Sequence, residues 1–432
     1  MRTMLMSAML VIAMAVGAES EWVTIQNGLL WKTETGDVVQ AHAPGFLKVG
    51  ERWYMCGEDR SVPFSPDVNL YSSTDLQHWR FENKIIRNRV TTEELGSSRM
   101  IERPKLLYNA KTGKYLVWCH YESRNYGASE AACFECDSVN GDYRFVWGGR
   151  PLGIKSRDCN VFQDTDGTAY FISTTEENQH LGLFRLSDDY REAVEHTQLF
   201  PRQSREAPAI VRLPEGRYFM FNSACSGWAP NQCKMSYTMN LKEGWTPLEN
   251  IGNPIAYDTQ AAAILEIKGT KATTYLYVGD RWQDPSLPAT KTIIFPISFD
   301  GTECKFEYHE RFDINFETGE WRETATEGIF ADNAKWKTLE QNDEHITIDM
   351  GKKQVIKGFI AKPREKAGER WLIRRYQLLT SNDGKTWDTA SEGRWLPYWT
   401  EVDFDSRECR YIKLVSPDAR MRSVEEVILV KG

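Results

Sequence analysis

Three carboxylates, one histidine and one glutamine each stand at the head of a short apolar run in this chain. The heads are His42 in AHAPGFLKV, Glu102 in ERPKLLYN, Asp158 in DCNVFQD, Glu206 in EAPAIVRL and Gln260 in QAAAILEI. Brought to one place, the acids would raise one another's proton affinity, because each ionised neighbour disfavours the next ionisation. A fold tolerates that mainly where a proton is to be given or a ligand held. A carboxylic acid kept protonated near neutral pH by neighbouring carboxylates and partial burial can act as a general acid. The chemistry to look for is therefore proton donation in a crowded acidic site.

Bringing the heads together requires a repeated element. Each head opens an apolar strand, a turn follows, and a second strand carries an aromatic at a nearly fixed distance: Tyr54, Tyr115, Tyr170, Tyr218 and Tyr275, at offsets of 12, 13, 12, 12 and 15 residues. A hairpin recurring at a period of roughly 50–60 residues cannot bury its own apolar faces, so the repeats must stack on one another in a radial array. The pattern predicts an all-β, five-bladed β-propeller over residues 22–300. The first strand of each blade lines the axis of such a fold, which places the five heads at one end of the channel.

Composition narrows the partner. The chain has 432 residues, 41% hydrophobic and 12% aromatic, with 15 Trp and 18 Tyr, ample for a large core and a second domain. A net charge of −8 without a compensating basic run excludes nucleic acid as the natural partner. Sugars, being neutral, call for aromatic platforms and hydrogen bonds instead. Arg2 precedes the apolar stretch Met4 to Val16, and Val16, Gly17 and Ala18 are small enough for cleavage before Glu19. Residues 1–18 thus read as a signal peptide, too short for a membrane span, and the expectation is export to the periplasm or the medium. Nothing else in the sequence could form a membrane-spanning helix. Nine cysteines leave at least one without an intramolecular partner, and Cys56, Cys119 and Cys159 sit inside apolar strands, where a free thiol serves as a small hydrophobe.

Beyond the fifth repeat the text changes. ITIDMG, QVIKGFIAKP, RRYQLLTSNDGKTWD, CRYIKLVS and VEEVILV are strand-like with little helical periodicity, which predicts a β-sandwich over residues 312–432. Its SNDGKTW segment is a hairpin signal built on Asp383-Gly384. Trp336, Trp371, Trp395 and Trp399 give this region apolar surface for packing against the propeller or for binding glycan.

ERPKLLYNAKTGKYLVWCHYES, SRDCNVFQDTDGTAYFIS, REAPAIVRL, SGWAPN and YVGDRW resemble the motifs of glycoside hydrolase family 43, and most of all its exo-β-1,3-galactanase branch. IDMGKKQVIKGF, YQLLTSNDGKTW and RYIKLV resemble the discoidin-like jelly roll used as a family 32 type carbohydrate-binding module. The first resemblance implies an inverting exo-hydrolase that releases terminal galactose from β-1,3-galactan, the backbone of arabinogalactan. It implies Glu206 as general acid, Glu102 as the residue that tunes and orients it, and Asp158 as a ligand to sugar hydroxyls. An inverting enzyme also needs a group that activates water. The first blade, where most of the family has an Asp, carries Gln40-Ala41-His42-Ala43-Pro44 instead, and Gln260 matches the fifth-blade Gln proposed in the galactanase branch to position the water. His42 is the rival for that role, or else a hydrogen-bonding group in the sugar subsite.

Further substrate contacts are expected from Glu58, Tyr126, Asn178, Ser226, Trp228 and Trp282, all near strand ends beside polar neighbours. Two departures from the branch, Pro44 in place of a glycine-rich run and Ser226 in place of a threonine, keep an arabinofuranosidase or another exo-glycosidase open, and the missing first-blade Asp keeps a non-catalytic glycan-binding protein open. No His, Cys or Asp cluster has metal-ligand spacing, so the chemistry needs no metal or other cofactor. The resemblance does allow a structural calcium in the sandwich.

Overall fold

Alternating apolar and polar residues between tight turns leave these segments no stable choice but paired strands with one face covered. The computed structural model describes residues 21–432 except 63, 65, 91, 285, 325–330, 332–335, 365–372, 395 and 397–400. The expected signal peptide at 1–18 and Trp371, Trp395 and Trp399 lie outside the described residues. Nearly everything described is strand, the few helical pieces being three-residue turns such as Pro151–Gly153.

Five four-stranded antiparallel sheets follow one another along the chain, each in simple up-and-down order. Blade one has His42–Val49 innermost and Arg52–Glu58 second; blade two, Arg99–Asn109 and Lys114–Ser123; blade three, Ser156–Gln163 and Ala169–Thr175; blade four, Arg205–Arg212 and Tyr218–Ala224; blade five, Gln260–Lys268 and Thr273–Arg281. Each innermost strand lies against the next, and that of blade five lies against that of blade one, which closes the ring. The fold is the expected five-bladed propeller. A cavity of about 290 Å³ on the axis is lined by all five innermost strands, through Leu47, Leu107, Phe162, Val211 and Leu265. Above it Lys105 plugs the channel, its Nζ bonded to the carbonyls of Ala43 (2.9 Å), Pro44 (2.5 Å) and Ala262 (3.1 Å). Asn160 Nδ2 crosses the same axis to Pro208 O (2.9 Å) and Ala262 O (2.8 Å). Gly45 matters here: a Cβ would sit 2.5 Å from Pro104 O and 2.6 Å from Lys105 Cα, so only glycine lets blades one and two approach this closely.

The ring is sealed where it began. Val23–Gln26 pairs with Arg311–Ile314, which pairs with Trp321–Glu323. Ile25, Phe312 and Ile314 share an apolar cluster with Trp53 and Trp79 of blade one and Leu276 and Ile294 of blade five. The chain from 311 to 323 therefore packs with the propeller, and the sandwich's own sheet starts at Lys337 with strands Lys337–Gln341, His345–Pro363, Arg375–Ser381, Asp388–Arg394, Glu401–Val415 and Val424–Lys431. Its core includes Ile356, Phe359, Leu378, Ile412 and Leu429, with Trp336 packed against it. Gly384 takes φ +71° in the anticipated hairpin, and Asp383 Oδ1 accepts the N–H groups of Lys385 and Thr386 (both 2.8 Å). Propeller and sandwich meet through an Arg311–Glu401 ion pair, a bond from Glu401 N to Glu310 Oε1 (3.0 Å), and Ile255, a propeller residue seated in the sandwich core.

Candidate active site

All five innermost strands carry a register shift just after they begin: His42/Gly45, Glu102/Lys105, Ser156/Cys159, Glu206/Ala209 and Ala261/Ala263. A bulge re-aims the side chain beside it, and here it recurs beside every head. The residue after the head has positive φ in three blades: Ala43 (48°), Arg103 (50°) and Ala207 (52°). Such backbone costs on the order of 1 kcal/mol for a residue with a Cβ. Two of the three are held by a carboxylate of the preceding blade, Arg103 N donating to Glu58 Oε1 (2.8 Å) and Ala43 N to Asp280 Oδ1 (3.1 Å).

Antiparallel register sets residues near the end of the second strand opposite the head in four blades: His42 faces Glu58, Glu102 faces His120, Glu206 faces Ser223 and Gln260 faces Asp280, while Asp158 lies inside the blade-three bulge. One buried network grows from these pairs. Arg60 Nε donates to Glu58 Oε2 (2.5 Å) and its Nη2 to Glu102 Oε1 (2.8 Å). Glu102 also accepts the Tyr126 hydroxyl (2.6 Å), and its Oε2 lies 3.2 Å from His120 Nδ1; His120 Nε2 meets Glu122 Oε2 at 3.1 Å. Arg103 carries the network across the axis, with Nε 2.8 Å from Asp158 Oδ2, Nη1 on Ala261 O (3.2 Å) and Nη2 on Gln260 Oε1 (2.5 Å).

The carboxyls differ sharply in proton affinity. Burial pushes Glu206 up to about 8, the Asp158 charge adds to the rise, and Arg103 with bonds from Cys225 and Gln260 pulls against it. Burial also raises Glu58, against the pull of Arg60. Glu102 goes the other way: although burial opposes ionisation, its contact with His120 and the charge of Arg60 hold it well below the usual carboxylate range. His120 is drawn down by burial but held at about 9 by Glu102 and Glu122. Burial raises Asp280 as well, to about 7, so the site combines carboxyls pushed toward the protonated form with Glu102 held ionised, and the separation is widest between Glu206 and Glu102.

Glu206, Asp158, Gln260 and Glu102 are brought to one end of the channel as the sequence implied, with Asp158 acting on Glu206 through its charge and Glu102 tied to Arg60, His120 and Tyr126 instead. His42 is buried and bonded to Gln40 Oε1 (3.1 Å). Burial and Arg60 push its pKa down to about 3, which makes it a neutral hydrogen-bonding group and a poor proton acceptor. Trp282 donates Nε1 to Gln260 Oε1 (2.8 Å) and packs edge-on against Trp228 with centroids 4.9 Å apart, and Arg60 lies 5.9 Å over the Trp228 ring. Trp228 and Tyr126 are 36% and 40% exposed, so both offer open aromatic surface at the rim. Asn178, in the turn closing the second strand of blade three, has φ 63° and a buried Oδ1 without a partner among the described residues. Ser226 is engaged inside its own loop, donating to Ala229 O (2.6 Å) and accepting from Asn231 Nδ2 (2.6 Å).

Sequence reasoning missed Arg60, Arg103, His120, Ser223 and Asp280. Arg103 follows the head Glu102 in its own strand, and the other four lie in or beside the hairpin partners of the heads, so reading the register one strand further would have found most of them. The nine cysteines are all unpaired. No group of three or more His, Cys, Asp or Glu side chains among the described residues could hold a metal ion. Asp164 of the DTDG turn instead accepts the Tyr218 hydroxyl (2.6 Å).

The sequence profile of glycosyl hydrolases family 43 matches residues 38–281, more than half the chain and nearly the whole ring. The chain belongs to glycosyl hydrolases family 43. As a family 43 protein it is a glycoside hydrolase, and an F5/8 type C domain matches residues 314–427, confirming the discoidin-like sandwich. The exo-β-1,3-galactanase of Phanerochaete chrysosporium, solved with β-1,3-galactotriose, has a similar fold: TM-score 0.75 at 23% identity, over 94% of this chain and 99% of that one. An exo-β-1,3-galactanase from Clostridium thermocellum matches with TM-score 0.68 at 27% identity, covering 94% of this chain and 100% of its own. A family 43 β-1,3-galactosidase with galactodeoxynojirimycin matches with TM-score 0.62 at 29% identity, over 66% of this chain and 99% of that one. No curated protein sequence matches the chain. No helix among the described residues is long and apolar enough to cross a membrane.

Proposed function

We propose that this hydrolase is inverting and exo-acting and removes terminal galactose from β-1,3-galactan. The observation that carries the reading is the Glu206 carboxyl, held protonated at neutral pH in a site where Asp158 and Arg103 also converge. Protonating the glycosidic oxygen is the step a poor leaving group such as a sugar needs. The substrate comes from the similar solved structures, whose names specify β-1,3-galactan or β-1,3-galactose linkages. Tyr126, Trp228 and Trp282 supply the aromatic faces a pyranose requires, and Asp158 and Asn178 the polar contacts, whereas Glu58, buried and bonded to Arg60 and the Arg103 N–H, acts from behind the pocket. A retained acid of this kind favours hydrolysis over a purely glycan-binding propeller.

Chromatography of products from β-1,3-galactooligosaccharides tests this reading. It expects galactose as the only monosaccharide and stepwise shortening from one end. Release of arabinose from arabinofuranosides with no galactose would reassign the sugar, and no release from either across a pH series would overturn hydrolysis. We also propose that residues 1–18 direct export, which amino-terminal sequencing of the protein outside the cytoplasm tests, with a start near Glu19 expected.

A further inference from the structure

Gln260 is bonded on every side by protein. Its Oε1 accepts from Arg103 Nη2 (2.5 Å) and Trp282 Nε1 (2.8 Å), and its Nε2 donates to Glu206 Oε1 (3.0 Å) and Ser223 Oγ (3.0 Å). The orientation of the amide follows from chemistry. Guanidinium and indole N–H groups only donate, so the group facing them must be the carbonyl oxygen and the NH2 must face Glu206. An amide has two acceptor and two donor positions, and all four are filled. Holding a nucleophilic water would require breaking one of these bonds, two of which satisfy the Arg103 guanidinium and the Trp282 indole N–H.

We propose that Gln260 is a positioning residue for the acid: its N–H marks Glu206 Oε1 as the accepting oxygen and so keeps the catalytic proton on Oε2. Apart from the Cys225 thiol beside the carboxyl, Gln260 is the only described side chain that donates to Glu206. In the transfer the C–O bond to the leaving sugar breaks and its electron pair goes to the glycosidic oxygen. That oxygen takes the proton of Glu206 Oε2, water oxygen bonds the anomeric carbon, and the water's surplus proton passes to solvent. The charge left on Glu206 is then stabilised by the same N–H, a hydrogen bond that strengthens as the acid ionises. Arg103 and Trp282 hold the amide in this orientation, so the fifth blade controls an acid borne by the fourth.

This inference rests on the hydrolase reading above, and its test separates the two. Gln260→Ala and Glu206→Gln are compared, singly and together, on β-1,3-galactobiose and on a dinitrophenyl β-galactoside, whose leaving group needs little protonation. Gln260→Ala should lose about 10²-fold in kcat on the disaccharide, the usual scale for general acid catalysis, and roughly tenfold or less on the aryl galactoside. Its alkaline limb should move upward, because a donor to the carboxylate has been removed. In the Glu206→Gln background the second substitution should add little, as expected of residues acting as a unit. Trp282→Phe, which removes only one donor to the amide, should show the same leaving-group pattern at smaller amplitude and covers the case in which Gln260→Ala misfolds. Equal losses on both substrates, an unmoved alkaline limb or multiplicative effects in the double variant would overturn the proposal and return Gln260 to the water. A wild-type protein inert on both substrates would overturn the galactosidase reading instead.

Discussion

The two ends of the same five hairpins obey different rules. At the end where the innermost strands begin, each of those strands is bulged, the residue after the head takes positive φ in three blades, and buried charges interlock through Arg60, Arg103 and His120. At the far end the strands pair regularly, and Tyr115, Tyr170, Tyr218 and Tyr275 fill the spaces between blades with ordinary apolar packing. Both ends descend from one repeated sequence pattern, so the strain and charge at the first end are not demanded by the fold. A buried ion network contributes little net stability against its desolvation, whereas the far end stabilises through area removed from water. One end holds the ring together, and the other carries the reactive groups at a cost the ring can bear.

The largest effect is expected at the acid. Glu206→Gln keeps the shape but cannot donate, so turnover of unactivated oligosaccharides should fall at least about 10²-fold, with aryl galactosides much less affected. Steady-state kinetics on both substrates checks this. Equal loss on the two would remove Glu206 from the role of acid.

Arg103 is the next largest effect. Arg103→Met leaves Asp158, Gln260 Oε1 and Ala261 O without their shared donor, and breaking a buried pair in this way should cost about 3 kcal/mol or more of stability. Urea unfolding measures it. A loss within about 0.5 kcal/mol, the range of ordinary surface changes, would show that the network is less tightly coupled than its bonds imply.

The same acid should carry a stability signature of opposite sign. Its folded proton affinity lies above that of an exposed glutamate, so between roughly the ordinary glutamate range and about 8 the native state binds more protons than the unfolded chain. Stability attributable to Glu206 therefore falls as pH rises through that window. Glu206→Gln removes the penalty, and its unfolding free energy should exceed the wild type by on the order of 1 kcal/mol at pH 8, with the gain vanishing near pH 4. Calorimetry at the two pH values reads it, and a gain of equal size at both would point to packing. At the far end, Tyr218→Phe deletes the bond to Asp164 and should cost about 1 kcal/mol while leaving kcat unchanged.

Much of this was legible in the chain. The fixed offset from head to aromatic exposed the repeat, and the repeat predicted the ring, because a lone hairpin has no partner for its apolar faces. Glu102, Asp158, Glu206 and Gln260 could be placed at one end for the same reason. What the text hid was pairing across blades. Arg103 stands beside Glu102 in the sequence yet acts on Asp158 and Gln260, and Asp280 caps the bulge at Ala43; neither link has a local signature, because both depend on how closely neighbouring blades approach. Saturation of the Gln260 amide was likewise invisible, since it takes four residues from three blades and only the geometry counts its bonds. The tail after the fifth blade shows the opposite limit: the text from 312 reads as the start of the sandwich, but Arg311–Ile314 pairs with Val23–Gln26 and Trp321–Glu323 pairs with it in turn, a contact across almost the whole domain. A truncation meant to test the sandwich should therefore start after Glu323.

The central claim is that this end of the channel hydrolyses a terminal β-galactoside by direct attack of water, assisted by Glu206. Proton NMR during the first seconds of β-1,3-galactobiose cleavage tests it most directly, before mutarotation mixes the anomers. Inversion predicts that the newly released non-reducing galactose appears first as the α anomer. Appearance of the β anomer first would require a covalent intermediate on a carboxylate and would contradict the account.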